Sequence, residues 1–524
     1  MLQSAICHLD RRQHIDNTLT IIQKYFSHKT GLNSMKKIGI IAVAGIIIIA
    51  AAAFLFKGKI SDSVGNQFEK QAKTFLENNT NKPISIKSLA QSPEITTATI
   101  TINEVKDTEI RSQLDISLAM GQKFSLPLNT EIQRGEISHN GKSYGFGKLV
   151  TKPDLSQFTD LPAVIDENTF TLEQFIDLLG NVHEVYTVTP LSFKDSGSQM
   201  NFAGATVNID TSFFNRANAS GDFAVRTLTV NEDNNTFILS PIEGSFNLSE
   251  NGDYQVSTGP LSIEIAAIDG TGGIRAEKMI STGNYQSIDG LSVPLNNGEA
   301  SIKDISIKVP DPMTGQMTEI KLSSLDFTGG IYQNGDNHVD IKYNVKANAT
   351  ENGIALPLPV LLQSASMDFQ MNRLANSAIN TYFDTLLPIM YQIENSANAE
   401  AEALAVLEGQ LLPAIQQSDT QTMLAFDIQT DQGKAAMDAD FALNESGKSA
   451  SVNDLIAALK RGDTGIINAN AKANIAKSLS DATELTSMLQ LFMGEYVNET
   501  ETDYTFEAVL KDGQATLNGK PLPL

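Results

Sequence analysis

The sequence contains no tryptophan and only one cysteine, Cys7, in 524 residues. Disulfide bonds therefore cannot stabilise the chain that follows Cys7, and thiol chemistry and cysteine-based zinc sites are excluded there. Without tryptophan, the indole rings that often stack on sugars are also missing. Two common ways of stabilising an exported protein and one common way of binding carbohydrate are thereby removed.

Charged residues are scarce too, at 19 % of the sequence against a usual value of about 25 %, and most of them are acidic. The formal net charge is −23 and the isoelectric point is near 4.7. A nucleic-acid ligand requires a basic surface, so we expect no nucleic acid as a partner. The hydrophobic share of 41 % fits a globular protein of two or three domains. It excludes a coiled coil, a multi-span transporter and a wholly disordered chain.

Motifs that carry chemistry are missing as well. The histidines after residue 60 are His139, His183 and His338, and none stands in an HxH or HExxH arrangement. His139 and His338 flank Asn-Gly turns, which is typical of surface turn residues. His183 precedes Glu184 and could form half of a catalytic pair, but no G-x-S-x-G motif accompanies it. We therefore predict no catalytic, cofactor-binding or metal-binding residues, and no enzymatic activity.

Glycine-rich and acidic segments support the same conclusion. The glycines of residues 270–273 lack the strand-to-helix context of a phosphate loop, which favours a hairpin bulge. The acidic turns at 231–235 and 311–318 do not follow the EF-hand pattern, so we interpret them as solvated hairpins rather than calcium sites.

One stretch, residues 38–56, has no charged residue and is predicted to be a transmembrane anchor. Residues 1–59 carry eight Lys and Arg against two Asp and Glu, and the remainder carries 30 against 59. The positive-inside rule then places the amino terminus in the cytoplasm and exports the acidic bulk. The alternative is a cleaved signal peptide, because Met35, Lys36 and Lys37 form a suitable start and 51–53 a suitable cleavage site.

Residues 1–34 are interpreted as a short cytoplasmic tail or as an over-long gene prediction that precedes a start at Met35. Residues 61–81 show an apolar helical face and are predicted to form a juxtamembrane helix.

Residues 84–370 are predicted to form a β-rich periplasmic domain. Apolar and polar residues alternate, as in Ile341, Tyr343 and Val345, which is typical of antiparallel strands with one dry and one wet face. Dipeptides such as Asn140-Gly141 and Asn297-Gly298 predict tight hairpin turns. One interruption, residues 166–179, is expected to be a short helix.

The remaining segments mix helices and strands. Residues 371–418 have helical periodicity and are predicted to form a helical hairpin that covers a sheet, with the first helix extending up to Pro388 and with Pro413 inside the second. Residues 419–524 are predicted to be a C-terminal α+β region that closes with a hairpin. The expected fold class is thus α+β, with one N-terminal transmembrane helix, antiparallel β-hairpins and a central helical hairpin.

Four segments carry a family resemblance: the start at Met35 with the apolar span, GNQFEKQ at 65–71, LLQSASMDFQMNRL at 361–374 and LKDGQATLNGKP at 510–521. Together they resemble the YdgA-like family of bacterial inner-membrane-anchored proteins of unknown function, and more weakly the AsmA-like envelope proteins. The resemblance implies a Gram-negative inner membrane, a single pass, a periplasmic bulk and a homo-oligomer. It supplies no catalytic residues.

Two functions are compatible with these observations. The first is a non-catalytic envelope scaffold or assembly factor that acts by protein contact. The alternative is binding of lipid or another apolar ligand along a curved β-sheet groove. We expect the sheets to pack on each other in a closed core, because apolar faces of this kind commonly pair. An open trough would instead favour the groove.

Overall fold

In a computed structural model of the chain, the described residues are 81–85 and 95–522. Short segments are excepted, namely 107, 119–122, 158–163, 196–197, 213–217, 233–234, 268–269, 287, 289, 311–316, 356–357, 391–397, 452–453, 455–464 and 512. The tail 1–34, the apolar segment 38–56 and almost all of the helix predicted at 61–81 lie outside the described residues. The predicted inner-membrane location therefore stays a prediction.

Strands dominate the structure and range in length from two to 17 residues. In chain order they are β1 Pro83–Ser85, β2 Ile95–Val105, β3 Glu109–Leu118, β4 Lys123–Arg134, β5 Ile137–His139, β6 Lys142–Tyr144, β7 Gly147–Pro153, β8 Phe170–Ile176, β9 Asn181–Val188, β10 Leu191–Asp195, β11 Ser198–Phe202, β12 Ala205–Ser212, β13 Ala219–Val225, β14 Leu228–Glu232, β15 Asn235–Leu239 and β16 Ile242–Leu248.

The second half continues in the same manner. Its strands are β17 Asp253–Thr258, β18 Leu261–Ala267, β19 Gly270–Ala276, β20 Lys278–Gln286, β21 Leu295–Pro310, β22 Met317–Gln333, β23 His338–Ala349, β24 Ile354–Ala355, β25 Leu361–Ala375, β26 Gln421–Thr430, β27 Gly433–Leu443, β28 Ile467–Ala476, β29 Asn498–Glu499, β30 Asp503–Lys511, β31 Gln514–Leu517 and β32 Lys520–Pro521.

All strands except β5 and β6 belong to one antiparallel sheet. The sheet is a meander in which each long run of chain pairs with the run before it and the run after it. From β20 onward the principal order is β20–β21–β22–β23–β25–β26–β27–β28–β30. The β5–β6 hairpin pairs only with itself. Hairpin connections are local, so the alternation of apolar and polar residues together with the residue types of the turns is sufficient to specify such a sheet.

Between β9 and β21 a line of kinks, called the crease below, crosses the sheet. It is formed by positions that neighbour one another on successive runs: 189–190, 203–204, 226–227, 240–241, 259–260, 277 and 304. The register is the same on both sides, since Val188 pairs with Ala205 before the crease and Leu191 with Phe202 after it.

Left-handed backbone occurs at two positions of the crease, Gly204 with φ +100° and Asp304 with φ +51°. Apolar residues of β21 follow one another at two-residue spacing on either side but at three-residue spacing across Asp304, from Ile302 to Ile305. A regular strand would send those two side chains to opposite faces. The irregular backbone at Asp304 interrupts that alternation.

Helices leave the sheet after β25 and near the carboxyl end. They are α1 Asn376–Asn380, α2 Leu387–Met390, α3 Ala399–Val406, α4 Leu412–Gln417, α5 Glu445–Ser449, α6 Lys477–Ala482 and α7 Leu485–Met493. Single 3₁₀ turns lie at Leu155–Gln157 and Gly494–Tyr496. Among the residues described, no helix is both long and apolar enough to cross a membrane.

Wide π-helical turns precede the two prolines of the helical hairpin. Thr381–Leu386 joins α1 to α2 ahead of Pro388, and Leu407–Leu411 joins α3 to α4 ahead of Pro413. A proline inside a helix lacks the N–H donor, and its ring clashes with the carbonyl one turn earlier. A widened turn accommodates both defects, so the helices continue past the prolines instead of ending there.

The described core lies mainly at two places. One is the amino-terminal end of the sheet, where Ile100, Leu114 and Leu128 are almost fully buried. The other is the contact of the helical hairpin with the sheet, where Ala378, Ile379, Leu386, Ile389, Val406 and Leu411 pack on Ile331, Val339 and Leu374. The first of these places extends through β8 and β9, where Phe170, Leu172, Phe175, Ile176, Val182 and Tyr186 are buried, and the described residues of β10 to β20 include few buried side chains.

These observations correct the predicted fold class. The protein is mostly antiparallel β, not α+β, and the structure shows no membrane-spanning helix in the part that it describes. The short helix expected at 166–179 is instead β8 and its turn, because pairing with both β7 and β9 overrides the helical preference of its Leu, Glu and Gln. The helical hairpin begins at Asn376, since residues 371–375 complete β25.

Candidate functional site

A row of apolar side chains crosses the sheet at right angles to the strands and is called the central row below. Its members pair directly with one another on β22, β23, β25, β26 and β27, and they are Phe327, Val345, Met367, Phe426 and Met437. Phe327, Phe426 and Met437 are each 37 % exposed, and Met367 is 40 % exposed. Large apolar side chains inside a closed sandwich would be buried, so this row faces open space.

Parallel rows lie two residues away on either side, where side chains return to the same face. One contains Tyr343, Phe369, Leu424 and Ala439. The other contains Leu325, Ala347, Ala365, Ile428 and Ala435. The three rows together are called the apolar face below, and none of their members carries a charge. Tyr343 and Ile428 are the most exposed of them, at 46 % and 42 %.

The helical hairpin closes one end of the apolar face. Ile331, Ile341 and Met371 pair with one another as the next row, and all three contact the core cluster that contains Ile379 and Leu386. The hairpin reaches this row but leaves the central row exposed. The expectation of a closed core is therefore wrong for this half of the sheet.

The opposite face of the same strands is polar. Asp326 of β22 accepts hydrogen bonds from Ser324 at 2.6 Å, from Lys303 at 3.2 Å and from the hydroxyl of Ser301. Burial alone would raise the pKa of Asp326, but these hydrogen bonds outweigh it and hold the pKa below its ordinary value. A charged, hydrogen-bonded surface thus lies directly behind the apolar one.

The structure brings two of the predicted histidines together. The β5–β6 hairpin folds back over the sheet and stacks the ring of His139 on that of Phe175, with centroids 4.0 Å apart. The His183 ring lies 5.4 Å from the His139 ring, and its Nδ1 is 2.9 Å from a carboxylate oxygen of Asp210. His183 and Tyr144 also line an open pocket of about 630 Å³.

His183 and Glu184, adjacent in the sequence, do not face each other in the structure. Glu184 is adjacent to His183 in β9, so its side chain projects to the other face of the sheet. It is 1 % exposed there, and it accepts hydrogen bonds from Gln174 at 2.9 Å and Tyr186 at 2.6 Å. Within the described residues, no group of three or more His, Cys, Asp or Glu side chains is placed to hold a metal ion.

The third histidine and the glycine-rich and acidic segments lie on other strands and turns. His338 begins β23, and the glycines of 270–273 lie inside β19. The acidic turn at 231–235 joins β14 to β15, with 233–234 outside the described residues, and most of the turn at 311–318 is also outside. The sequence predicted an open apolar groove only as the alternative to a closed core, because alternation marks a dry face without showing what covers it.

The fold and this face define a class: a long antiparallel meander whose apolar face is left open over several strands. Residues 35–524 match a family described as bacterial proteins of unknown function, DUF945, and the chain belongs to that family. No curated protein and no solved structure shows significant similarity to it.

Proposed function

We propose that the protein binds the acyl chains of lipids along the apolar face. The observation that carries this proposal is the exposure of the central row, in which four large side chains are 37–40 % exposed although each of them pairs with another apolar member of the row. Contiguous apolar patches of this kind usually mark binding surfaces. We also propose that the chain is a YdgA-like member of its family, on the resemblance of its closing segment.

The dimensions of the face favour an acyl chain. The central row crosses five neighbouring strands, β22, β23, β25, β26 and β27, or about 19 Å at ~4.8 Å between strands. One leaflet of a bilayer offers its acyl chains a depth of about 15 Å, half of the hydrocarbon core. A single extended acyl chain of that length therefore fits along the central row.

The energetics of such binding are hydrophobic. Covering apolar surface contributes about 25 cal/mol per Å², and the uncharged rows offer no group that needs a charged partner. The scaffold function finds less support, because a protein interface normally surrounds its apolar centre with a polar rim. The three rows of the apolar face instead carry no charged side chain across their width.

The test is mass spectrometry of organic extracts from the purified full-length protein, with Val345→Asp as the disruptive variant. Lys346→Asp is the matched control, because Lys346 is the next residue of β23 and projects to the polar face. We expect co-purifying lipid with wild type and Lys346→Asp and its loss with Val345→Asp, while circular dichroism stays unchanged. Lipid absent from all three proteins would overturn the proposal. A change of oligomeric state in Val345→Asp alone would show that a second copy, not lipid, covers the face.

A further inference from the structure

Three glycines lie side by side on neighbouring strands at one edge of the apolar face. Gly283 of β20 pairs with Gly298 of β21, which pairs with Gly329 of β22. Glycine weakens strands because it adds conformational entropy to the unfolded chain and offers no side chain for packing. Three glycines in register therefore indicate that other side chains or a ligand approach this part of the backbone closely.

Two tyrosines lie against these three glycines. A Cβ atom on Gly283 or on Gly298 would stand only 2.6 Å from the Tyr254 hydroxyl, and one on Gly329 would stand 2.8 Å from the Tyr343 ring. Tyr285 stacks on Tyr254 with ring centroids 4.8 Å apart. The tyrosines border a space of about 220 Å³, which Phe327 and Val345 also line.

This space, called the tyrosine pocket below, supplies polar groups to an otherwise apolar surface. It is continuous with the central row, since Phe327 and Val345 belong to both. Burial, the nearby Tyr254 and a hydrogen bond with it raise the pKa of Tyr285, so its phenol is neutral at ordinary pH. Neutral hydroxyls donate and accept hydrogen bonds without selecting a charge.

The charges around the pocket exclude an anionic head. Glu299 is the charged residue that lines it, and Glu299 pairs with Thr328 on the polar side of the strands. Recognition of a phosphate requires Arg or Lys side chains or converging backbone N–H groups. None of the residues that line the pocket in the described structure is Lys or Arg, and the net charge of −23 repels anions at longer range.

We propose that the tyrosine pocket binds the uncharged, hydroxylated head of a glyceride lipid, with the acyl chain lying along the central row. This inference rests on the proposed function and adds the class of lipid. Glycerol hydroxyls exchange hydrogen bonds with Tyr254 and Tyr285, and the absence of side chains at Gly283, Gly298 and Gly329 lets the Tyr254 hydroxyl and the Tyr343 ring lie close to the sheet beside the head.

The test compares two ligands that differ by one phosphate: 1-palmitoylglycerol and 1-palmitoylglycerol-3-phosphate. Each displaces a fluorescent fatty-acyl probe from the purified full-length protein. We expect 1-palmitoylglycerol to bind at least about tenfold more tightly. The double variant Tyr254→Phe, Tyr285→Phe removes only two hydroxyls, and we expect it to weaken 1-palmitoylglycerol about five- to tenfold, in line with the loss of one or two hydrogen bonds.

Two further variants test whether the effect depends on the position of the Tyr254 hydroxyl and on this face of the sheet. Gly298→Ala displaces the Tyr254 hydroxyl without removing it and should weaken the same ligand. Tyr332→Phe removes a hydroxyl on the opposite face of β22 and should have no effect. Equal affinity for both ligands, unchanged in the tyrosine variants, would overturn this inference and leave the proposed function standing. Binding of neither ligand, with no displacement of the probe, would overturn both.

Discussion

Met367 lies directly opposite Phe426 in the pairing of β25 with β26, and the two side chains remain 40 % and 37 % exposed. Seven residues further along β25, Leu374 is 6 % exposed and packs under the helical hairpin. One strand therefore serves two purposes. Its carboxyl end is part of the folding core, and its middle presents apolar surface that folding alone does not use.

This division predicts different costs for truncating the two kinds of residue. Phe426→Ser should change the free energy of unfolding by less than about 1 kcal/mol, because its ring is already partly in water. Leu374→Ala should cost about 2–5 kcal/mol, since it leaves a cavity beneath the hairpin. Urea denaturation followed by circular dichroism measures both. A cost for Phe426→Ser as large as that for Leu374→Ala would show that the apolar face is covered in the free protein.

Most of the strand pattern could be predicted from the sequence because it is local. Ile341, Tyr343 and Val345 alternate with polar residues, and they occupy β23 as expected. The turn at Asn140-Gly141 has the predicted left-handed backbone, with φ of 50° and 77°. The same dipeptide at Asn297-Gly298 gave a wrong prediction. Those residues lie inside β21, where pairing with strands on both sides determines the conformation.

The candidate site depended on information that no local pattern contains. Alternation shows that one face is apolar, but whether another layer covers it depends on where distant segments pack. The helical hairpin was expected to cover part of a sheet, and it covers the end of the sheet that contains Ile331, Val339, Ile341 and Leu374. The approach of His139 to His183 likewise results from the β5–β6 hairpin folding across the sheet, which residue spacing does not encode.

The crease provides a second prediction, with two glycines that are matched in position and differ in conformation. Gly204 has φ +100°, and a Cβ there would lie 2.7 Å from the carbonyl oxygen of Val188. Gly259 has no left-handed backbone, and its nearest neighbour would be 3.5 Å away. Gly204→Ala should therefore lower the free energy of unfolding by about 1–3 kcal/mol. Gly259→Ala should be neutral or stabilise the fold by up to about 1 kcal/mol.

Chemical denaturation of both variants decides whether the crease is fixed by its backbone. Equal effects of the two substitutions would contradict the role assigned to the left-handed conformation of Gly204. The comparison is sharp because both residues interrupt their strands at the same line across the sheet.

Asp340 fixes the point at which β25 leaves the sheet for the helices. Its carboxylate accepts hydrogen bonds from the Asn334 side chain at 2.7 Å and from the backbone N–H of Arg373 at 3.0 Å. Arg373 has φ +59°, a strained conformation for a residue with a side chain. Burial acts to raise the pKa of Asp340, but these bonds and Lys342 outweigh it and hold the pKa below its ordinary value.

Asp340→Asn should therefore reduce stability by about 1–2 kcal/mol at neutral pH. Because the folded-state pKa is depressed, the carboxylate stabilises the fold above its unfolded-state pKa, and that contribution disappears as pH falls through the folded value. The difference between wild type and variant should shrink below about pH 4. Asp336→Asn, in the exposed turn before β23, is the control and should stay within about 0.5 kcal/mol of wild type at every pH. A difference for Asp340→Asn that is independent of pH would exclude the carboxylate charge as the cause.

The last prediction concerns the β5–β6 hairpin, which is held over the sheet by His139. Burial lowers the pKa of His139, and the neighbouring His183 and Lys148 lower it further, while Glu173 opposes them. The His139 ring stacks on that of Phe175, and the Nδ1 atom of the neighbouring His183 contacts a carboxylate oxygen of Asp210. Protonation of His139 would place a cation against an aromatic ring in a partly desolvated site beside a second histidine.

The sign of the pH effect follows from the depressed pKa. Above the ordinary histidine pKa of about 6.5 the imidazole is neutral whether or not the hairpin is docked, so a change of pH does not affect docking there. Below it the undocked hairpin binds the proton more readily, and acidification therefore favours undocking. Hydrogen exchange of residues 137–144, corrected for intrinsic rates, should show protection that is constant above pH 7.5 and falls between about pH 6.5 and 5. His139→Phe keeps the stack on Phe175 without a titrating group, so its protection should not vary across that range. Protection that falls equally in wild type and His139→Phe would assign the pH dependence to another group, with His183 and its Asp210 partner the next to be substituted.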